Sequence, residues 1–120
     1  MQLKILKPKE PNAIAKLTVQ RSGKLGFSKG AMELLDLEAN KFAKFGFDEL
    51  ENFYIVIYKE SDEETFNISK AGDYYYINAK TLLEDLEIDY SSDDTTIFDI
   101  RRTDVENTFK LNKRVLKKSI

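Results

Sequence analysis

The feature that most constrains this chain is that it repeats itself. Val19-Gln20-Arg21-Ser22-Gly23 is matched 49 residues later by Ile68-Ser69-Lys70-Ala71-Gly72. Glu33-Leu34-Leu35-Asp36-Leu37 is matched 51 residues later by Glu84-Asp85-Leu86-Glu87-Ile88, and Phe53-Tyr54-Ile55 corresponds to Thr108-Phe109-Lys110 at a spacing of 55. The spacing drifts only across segments that read as turns, as expected when one supersecondary unit occurs twice. A unit of roughly 50 residues buries too little surface to be secure alone, so two of them on a short linker should share one core.

Each copy reads as strand, strand, helix, strand, strand. Ala13, Ala15, Leu17 and Val19 alternate with Ile14, Lys16, Thr18 and Gln20, the period of a strand with one apolar face. Gly23 interrupts it, and Lys24-Leu25-Gly26-Phe27 resumes as a second strand. Ser28 stands at a helix N-cap position, followed by Ala31, Leu34 and Leu35 at helical spacing. In the second copy Asn78 takes the capping place, with Leu82, Leu83 and Leu86 as the buried stripe. The closing strands are expected over 41–47 and 53–59, then over 95–101 and 107–112. These spacings divide the chain into an N-terminal extension (1–12), a first unit (13–60), a linker (61–64), a second unit (65–112) and a basic tail (113–120). The tail suits either a phosphate-binding arm or a frayed terminus.

Composition narrows the chemistry. The chain has no His, no Cys and no Trp. That removes the side chain that titrates nearest neutrality, the strongest protein nucleophile and the commonest nitrogen and sulfur metal ligands. No enzymatic activity and no cofactor are expected. The acidic stretches Asp62-Glu63-Glu64, Asp89 and Asp93-Asp94 lack the alternating spacing and the glycine of a calcium loop, and read as solvated turns. No apolar run approaches the roughly 20 residues that span a bilayer, and MQLKILKPKEP lacks the apolar stretch of a signal peptide. A cytoplasmic protein is expected, with no membrane partner.

Charge is segregated along the chain. Residues 1–47 carry nine bases against four acids, a balance of +5. Residues 48–100 carry three against fifteen, −12, and residues 101–120 seven against two, +5. If the two basic ends meet in space they form a surface for polyanions. Lys16, Arg21, Lys24, Lys29, Lys41 and Lys44 are the candidate phosphate contacts. Arg101, Arg102, Lys113 and Arg114, with Lys110, Lys117 and Lys118, form a second basic set. Tyr74-Tyr75-Tyr76 must place at least one ring on each face of its strand, so some tyrosine is expected outside, where it could stack on a base or anchor a partner. Which rings point outward is left open.

The stretch Gly23-Lys24-Leu25-Gly26-Phe27-Ser28-Lys29-Gly30-Ala31-Met32-Glu33-Leu34-Leu35-Asp36-Leu37 resembles the core motif of the SpoVT/AbrB-like regulators, and the second copy repeats its order of elements. The resemblance implies a mainly β (α+β) fold: tandem β-β-α-β-β repeats forming a pseudo-two-fold swapped-hairpin β-barrel with two short helices. It implies the tandem, MraZ-like arrangement, in which one chain supplies both halves. It also implies a DNA-binding transcription regulator, with Lys24 standing where the family has Arg after Gly and Arg21 in the preceding turn. Ser28 replaces the usual Pro, Met32 a frequent helical Arg and Gln20 a frequent Asp. In the second copy Lys70 matches Arg21, but Asp73 reverses the charge at Lys24, so the implied DNA face belongs to the first copy. The partner expected is duplex DNA. The alternative is a non-enzymatic protein-interaction module, antitoxin-like or derived from a mobile element, whose acidic middle segment suits a basic protein partner. Either a monomer or a homodimer paired through an exposed strand edge is compatible with such a barrel.

Overall fold

The computed structural model describes residues 1–5 and 14–117. The element order is β1 (Lys16–Val19), β2 (Lys24–Phe27), α1 (Lys29–Leu34), β3 (Phe42–Phe47), β4 (Phe53–Tyr58), β5 (Phe66–Asn67), β6 (Ser69–Ala71), β7 (Tyr74–Asn78), α2 (Lys80–Asp85), β8 (Thr95–Arg102) and β9 (Thr108–Leu116). All strand pairs are antiparallel, and the strands form one sheet in the order β5-β3-β4-β9-β8-β1-β2-β7-β6. The two ends of that order, β5 and β6, are separated in the chain by Ile68 alone. The Ile68 N–H donates to the Lys41 carbonyl at 2.8 Å, continuing the β5–β3 pairing. The sheet therefore wraps into a nearly closed barrel, which removes most of the edge that an open sheet would expose.

The hairpins of the two units interleave. β1 and β2 of the first unit pair with β8 and β7 of the second, and β4 pairs with β9. The registers define a pseudo-two-fold relation. Leu17↔Phe98 and Phe66↔Ala43 are equivalent pairs when β1 maps onto the β5–β6 segment 49 residues later and β3 onto β8 55 residues later. The hairpin registers then require 52 residues from β2 to β7 and 56 from β4 to β9. The observed pairs Leu25↔Ile77 and Tyr54↔Lys110 have those separations, so each is a residue facing its own equivalent. The β4–β9 spacing is thus one residue longer than the match read from the sequence.

Backbone conformation repeats as well. Six described residues have left-handed φ: Gly23 and Gly72, Asp36 and Glu87, Glu51 and Asn107. They form three pairs at spacings of 49, 51 and 56. The first pair closes the equivalent hairpin turns, where φ of +85° and +61° make glycine the unstrained residue. The second pair lies just beyond each helix and the third in each closing hairpin.

The helices are one and a half turns each and rely on packing, since isolated helices of this length do not persist in water. In α1 the Ser28 hydroxyl caps the helix by accepting from the Ala31 N–H at 3.2 Å. It also accepts from the Lys16 N–H at 3.0 Å and donates to the Ile14 carbonyl at 2.9 Å, tying the helix start to β1. The expected cap at Asn78 is corrected. Asn78 is the last residue of β7 and pairs with Lys24, while Ala79 holds the cap position without a side-chain hydrogen bond. The register makes Asn78 the equivalent of Gly26 rather than of Ser28. The second unit is one residue shorter between strand and helix, and the capping serine has no counterpart.

Inward side chains of both units meet in one core. Leu17, Leu25, Ile55, Ile77 and Leu83 are fully buried, with Phe53, Phe98, Phe109 and Tyr75 filling the remaining space. Phe53 contacts Phe45, Phe47 and Phe98 at ring separations of 5.8, 4.9 and 5.6 Å. A second difference from the sequence reading concerns the tail. β9 continues through Leu116, paired with β8 as far as Leu116↔Thr95, so 113–116 are strand rather than fraying chain. Residues 118–120 and Ala13 of the expected first strand lie outside the described residues. No helix among the described residues is long and apolar enough to cross a membrane.

Candidate nucleic-acid interface

Strand alternation sends every second residue to the outside of the barrel. With Leu17, Leu25, Ala43, Phe98, Ile100, Phe109 and Leu111 buried inside, their neighbours must point outward. On β1, β2, β3, β4, β8 and β9 the charged residues at outward positions are Lys16, Lys24, Lys44, Arg101, Lys110, Arg114 and Asp99. Six are basic and one is acidic. The other acids of the described residues fall instead in turns and in or around the helices, at 33–38, 48–51, 60–64, 73, 84–89, 93–94 and 104–106. The segregation seen along the sequence is therefore one of strand exterior against turns.

The two basic ends meet on the wall formed by β1, β8 and β9. Lys16 is opposite Asp99, which is opposite Asn112. One row along, Arg101 is opposite Lys110, which is opposite Tyr54 on β4. In the other direction Thr18, Ile97 and Arg114 form the next row. Asp99 accepts from Arg114 Nε at 2.7 Å, an exposed pair of the kind worth at most about 1 kcal/mol. A phosphate could compete for that guanidinium. Arg101 and Lys110 have like charge on directly opposite residues, an arrangement that disfavours the isolated sheet and favours an added anion.

The remaining sequence-derived candidates are placed differently. Arg21, in the β1–β2 turn, donates to Asp93 at 2.6 Å with both side chains largely exposed. Lys24 lies over the Tyr76 ring, 4.6 Å from its centroid. Lys41 donates to the Leu37 carbonyl at 2.7 Å and faces the Tyr75 ring. Lys44 is held by Asp62 at 2.6 Å and Glu64 at 3.8 Å, and the hydrogen bond to Asp62 raises its pKa against the opposing effect of burial. Lys29, the first residue of α1, faces a hollow that it shares with Glu33, Asp36, Lys70 and Asp73, away from the β8–β9 wall. Arg102 and Lys113 fall on the inward alternation of their strands but lie beyond the core and are exposed. The structure thus brings Lys16 together with Arg101, Lys110 and Arg114, and engages Arg21, Lys41 and Lys44 elsewhere.

The tyrosine run is resolved by register. Tyr75 points into the core, whereas Tyr74 and Tyr76 lie on the outside with rings stacked 5.9 Å apart. Tyr74 lies across Gly26, where a Cβ would meet its hydroxyl at 2.0 Å, and its hydroxyl accepts from the Gln20 side chain. Burial there raises its pKa. Tyr54 and Asn112 are members of the wall that sequence reasoning did not single out. Their only signal was the position of Tyr54 within an alternating apolar strand, which reads as packing. The Tyr54 hydroxyl donates to Asp48 at 2.8 Å, which raises its pKa.

Among the described residues no group of three or more His, Cys, Asp or Glu is arranged to hold a metal ion. No protein-family model, no curated protein and no solved structure matches the chain.

Proposed function

We propose that this chain binds duplex DNA through the basic exterior of β1, β8 and β9, as a small regulator of the SpoVT/AbrB type acting in the cytoplasm. The observation that carries the reading is the six-to-one excess of bases over acids at outward strand positions. It brings Lys16 from one end of the chain beside Arg101, Lys110 and Arg114 from the other. Sheet residues on a rigid barrel hold their charges at fixed spacing, which suits a polyanion with regular phosphates. The acidic turns around the wall disfavour other approaches and so orient the duplex. A barrel completed by one chain supports a monomeric binding unit.

The test is fluorescence anisotropy with a labelled mixed-sequence duplex at about 50 and 200 mM salt. If the four bases of the wall each neutralise a phosphate, the log–log salt slope is about −3.6 and affinity falls roughly 150-fold over that interval. Lys16→Glu with Arg101→Glu should weaken binding and flatten the slope by about 2. Lack of binding at 50 mM, or binding indifferent to salt and to those substitutions, would overturn the reading and direct attention to protein partners.

A further inference from the structure

The far edge of β9 is not covered by the barrel's closure among the described residues. β4 pairs with β9 only as far as Phe53↔Leu111. Past that point the turn Asp48–Asn52, with Glu51 in left-handed conformation, carries β4 away, while β9 continues to Leu116. Among the described residues nothing pairs with the far side of β9 from Asn112 onward.

The hydrogen-bond phase of this edge follows from the ladder. The Ile57 N–H donates to the Asn107 carbonyl at 3.0 Å, so odd-numbered β9 residues direct their backbone groups toward β4. On the other side the Ile100 N–H donates to the Ala15 carbonyl, so even-numbered β8 residues face β1 and odd-numbered ones face β9. Arg114 and Asn112 consequently bond to Ile97 and Asp99. Lys113 and Val115 turn both N–H and C=O to the open side. This is a template for one more strand.

What lies beside the edge is apolar below, with more bases than acids at its mouth. A hollow of about 380 Å³ adjoins it, lined by Phe47, Phe53 and Phe98, with Glu51, Lys110 and Lys113 as its charged members. Phe47 and Val115, on the inward face beside this hollow, are 59% and 42% exposed. The bases on β9 are Lys110, Lys113 and Arg114, the last paired with Asp99, and Lys117 follows the strand. A second copy of this chain is a poor occupant, because antiparallel β9–β9 pairing would set these bases against themselves.

We infer that the open edge of β9 at Lys113 and Val115 receives an extended acidic segment of a partner protein by strand addition. Its alternate apolar side chains enter the hollow and its carboxylates, on the outer face, lie beside Lys110 and Arg114. Main-chain hydrogen bonds supply affinity and these bases select the acidic partner. This surface meets the proposed DNA wall at Lys110 and Arg114 and adds to it the backbone edge of β9 and the inward hollow, neither of which belongs to the wall.

The probe is a fluorescein-labelled decapeptide of alternating glutamate and valine, with a lysine–valine peptide as control. The glutamate peptide should bind the intact chain at least tenfold more tightly than the control. It should slow hydrogen exchange at the Lys113 and Val115 amides at least tenfold, leaving those of Asn112 and Arg114, already bonded to β8, unchanged. Val115→Pro removes an edge donor without touching the β8 ladder, and should cost at least tenfold in peptide affinity while DNA binding persists. Phe47→Ser, which opens one wall of the hollow, should do the same without altering the backbone of β9. Lys16→Glu with Arg101→Glu should leave peptide binding intact. No binding, or binding without protection at Lys113 and Val115, would overturn the inference. So would a dimer of the free protein that Val115→Pro dissociates, which would give the edge to a second copy.

Discussion

Leu25 and Ile77 offer the sharpest test of the barrel's construction. They are 1% and 0% exposed and face each other across β2 and β7, on the line that relates the two units. Leu25→Ala deletes three buried carbons, about 2.4 kcal/mol of transfer free energy at roughly 0.8 per methylene. The cavity left behind brings the loss to about 3–4 kcal/mol. Unfolding entropy of about 2.1 cal/mol/K per residue over 120 residues turns 3 kcal/mol into a Tm drop of about 12 °C. Ile77→Val deletes one methyl and should cost about 1 kcal/mol. Because the two side chains share one packing site, Ile77→Val should cost at least about 0.5 kcal/mol less in the Leu25→Ala background than alone. Urea unfolding followed by far-ultraviolet circular dichroism measures all four proteins, with the m-value as a check on two-state behaviour. Strict additivity, within about 0.3 kcal/mol, would mean that the residues do not pack together and that the β2–β7 register is wrong.

Asp48 is raised by burial but lowered more by hydrogen bonds from the Asn52 side chain, the Asn52 N–H, the Tyr54 hydroxyl and the Leu50 N–H, which hold its pKa at about 2. A depressed carboxylate contributes stability that is fully present above its unfolded pKa near 3.8 and is lost as pH falls toward 2. Acid unfolding should therefore be less sensitive to pH over that window in Asp48→Asn, with Asp62 and Asp89, also lowered, supplying the remainder, and carbon-detected NMR should place the Asp48 midpoint near the lower limit. Ser28→Ala removes the α1 cap and leaves the Lys16 N–H without its partner, and should cost about 1–2 kcal/mol by denaturant titration. Gly72→Ala should cost about 1 kcal/mol, the left-handed penalty alone, since nothing lies within 4 Å of the added Cβ. Gly23→Ala should cost more than Gly72→Ala, because its Cβ would also meet Lys80 Cγ at 2.3 Å; equal losses would show that the lysine moves aside freely.

Two things were legible in the residues themselves: the duplication and the strand-strand-helix-strand-strand order of each unit, whereas the barrel was expected only from the family resemblance. The first two rest on local signals that survive without knowledge of neighbours. Alternation at Leu17 and Val19, glycines at 23 and 72, and matched helix segments at 33–37 and 84–88 each report a strand, a turn or a helix directly. The capping role of Ser28 was readable for the same reason, and the supposed role of Asn78 failed because a strand partner, Lys24, claims that residue. The Tyr74–Tyr76 faces, the one-residue lengthening of the β4–β9 spacing and the continuation of β9 to Leu116 were decided by pairing. Tertiary structure alone also assembled the candidate sites. Lys16 meets Arg101 and Arg114 only because β1 is inserted beside β8, and the free groups of Lys113 and Val115 exist only because β4 ends one turn too soon to cover them. Such outcomes depend on register between strands distant in the chain. A shift of one residue turns every side chain to the opposite face, and no local pattern of residues records it.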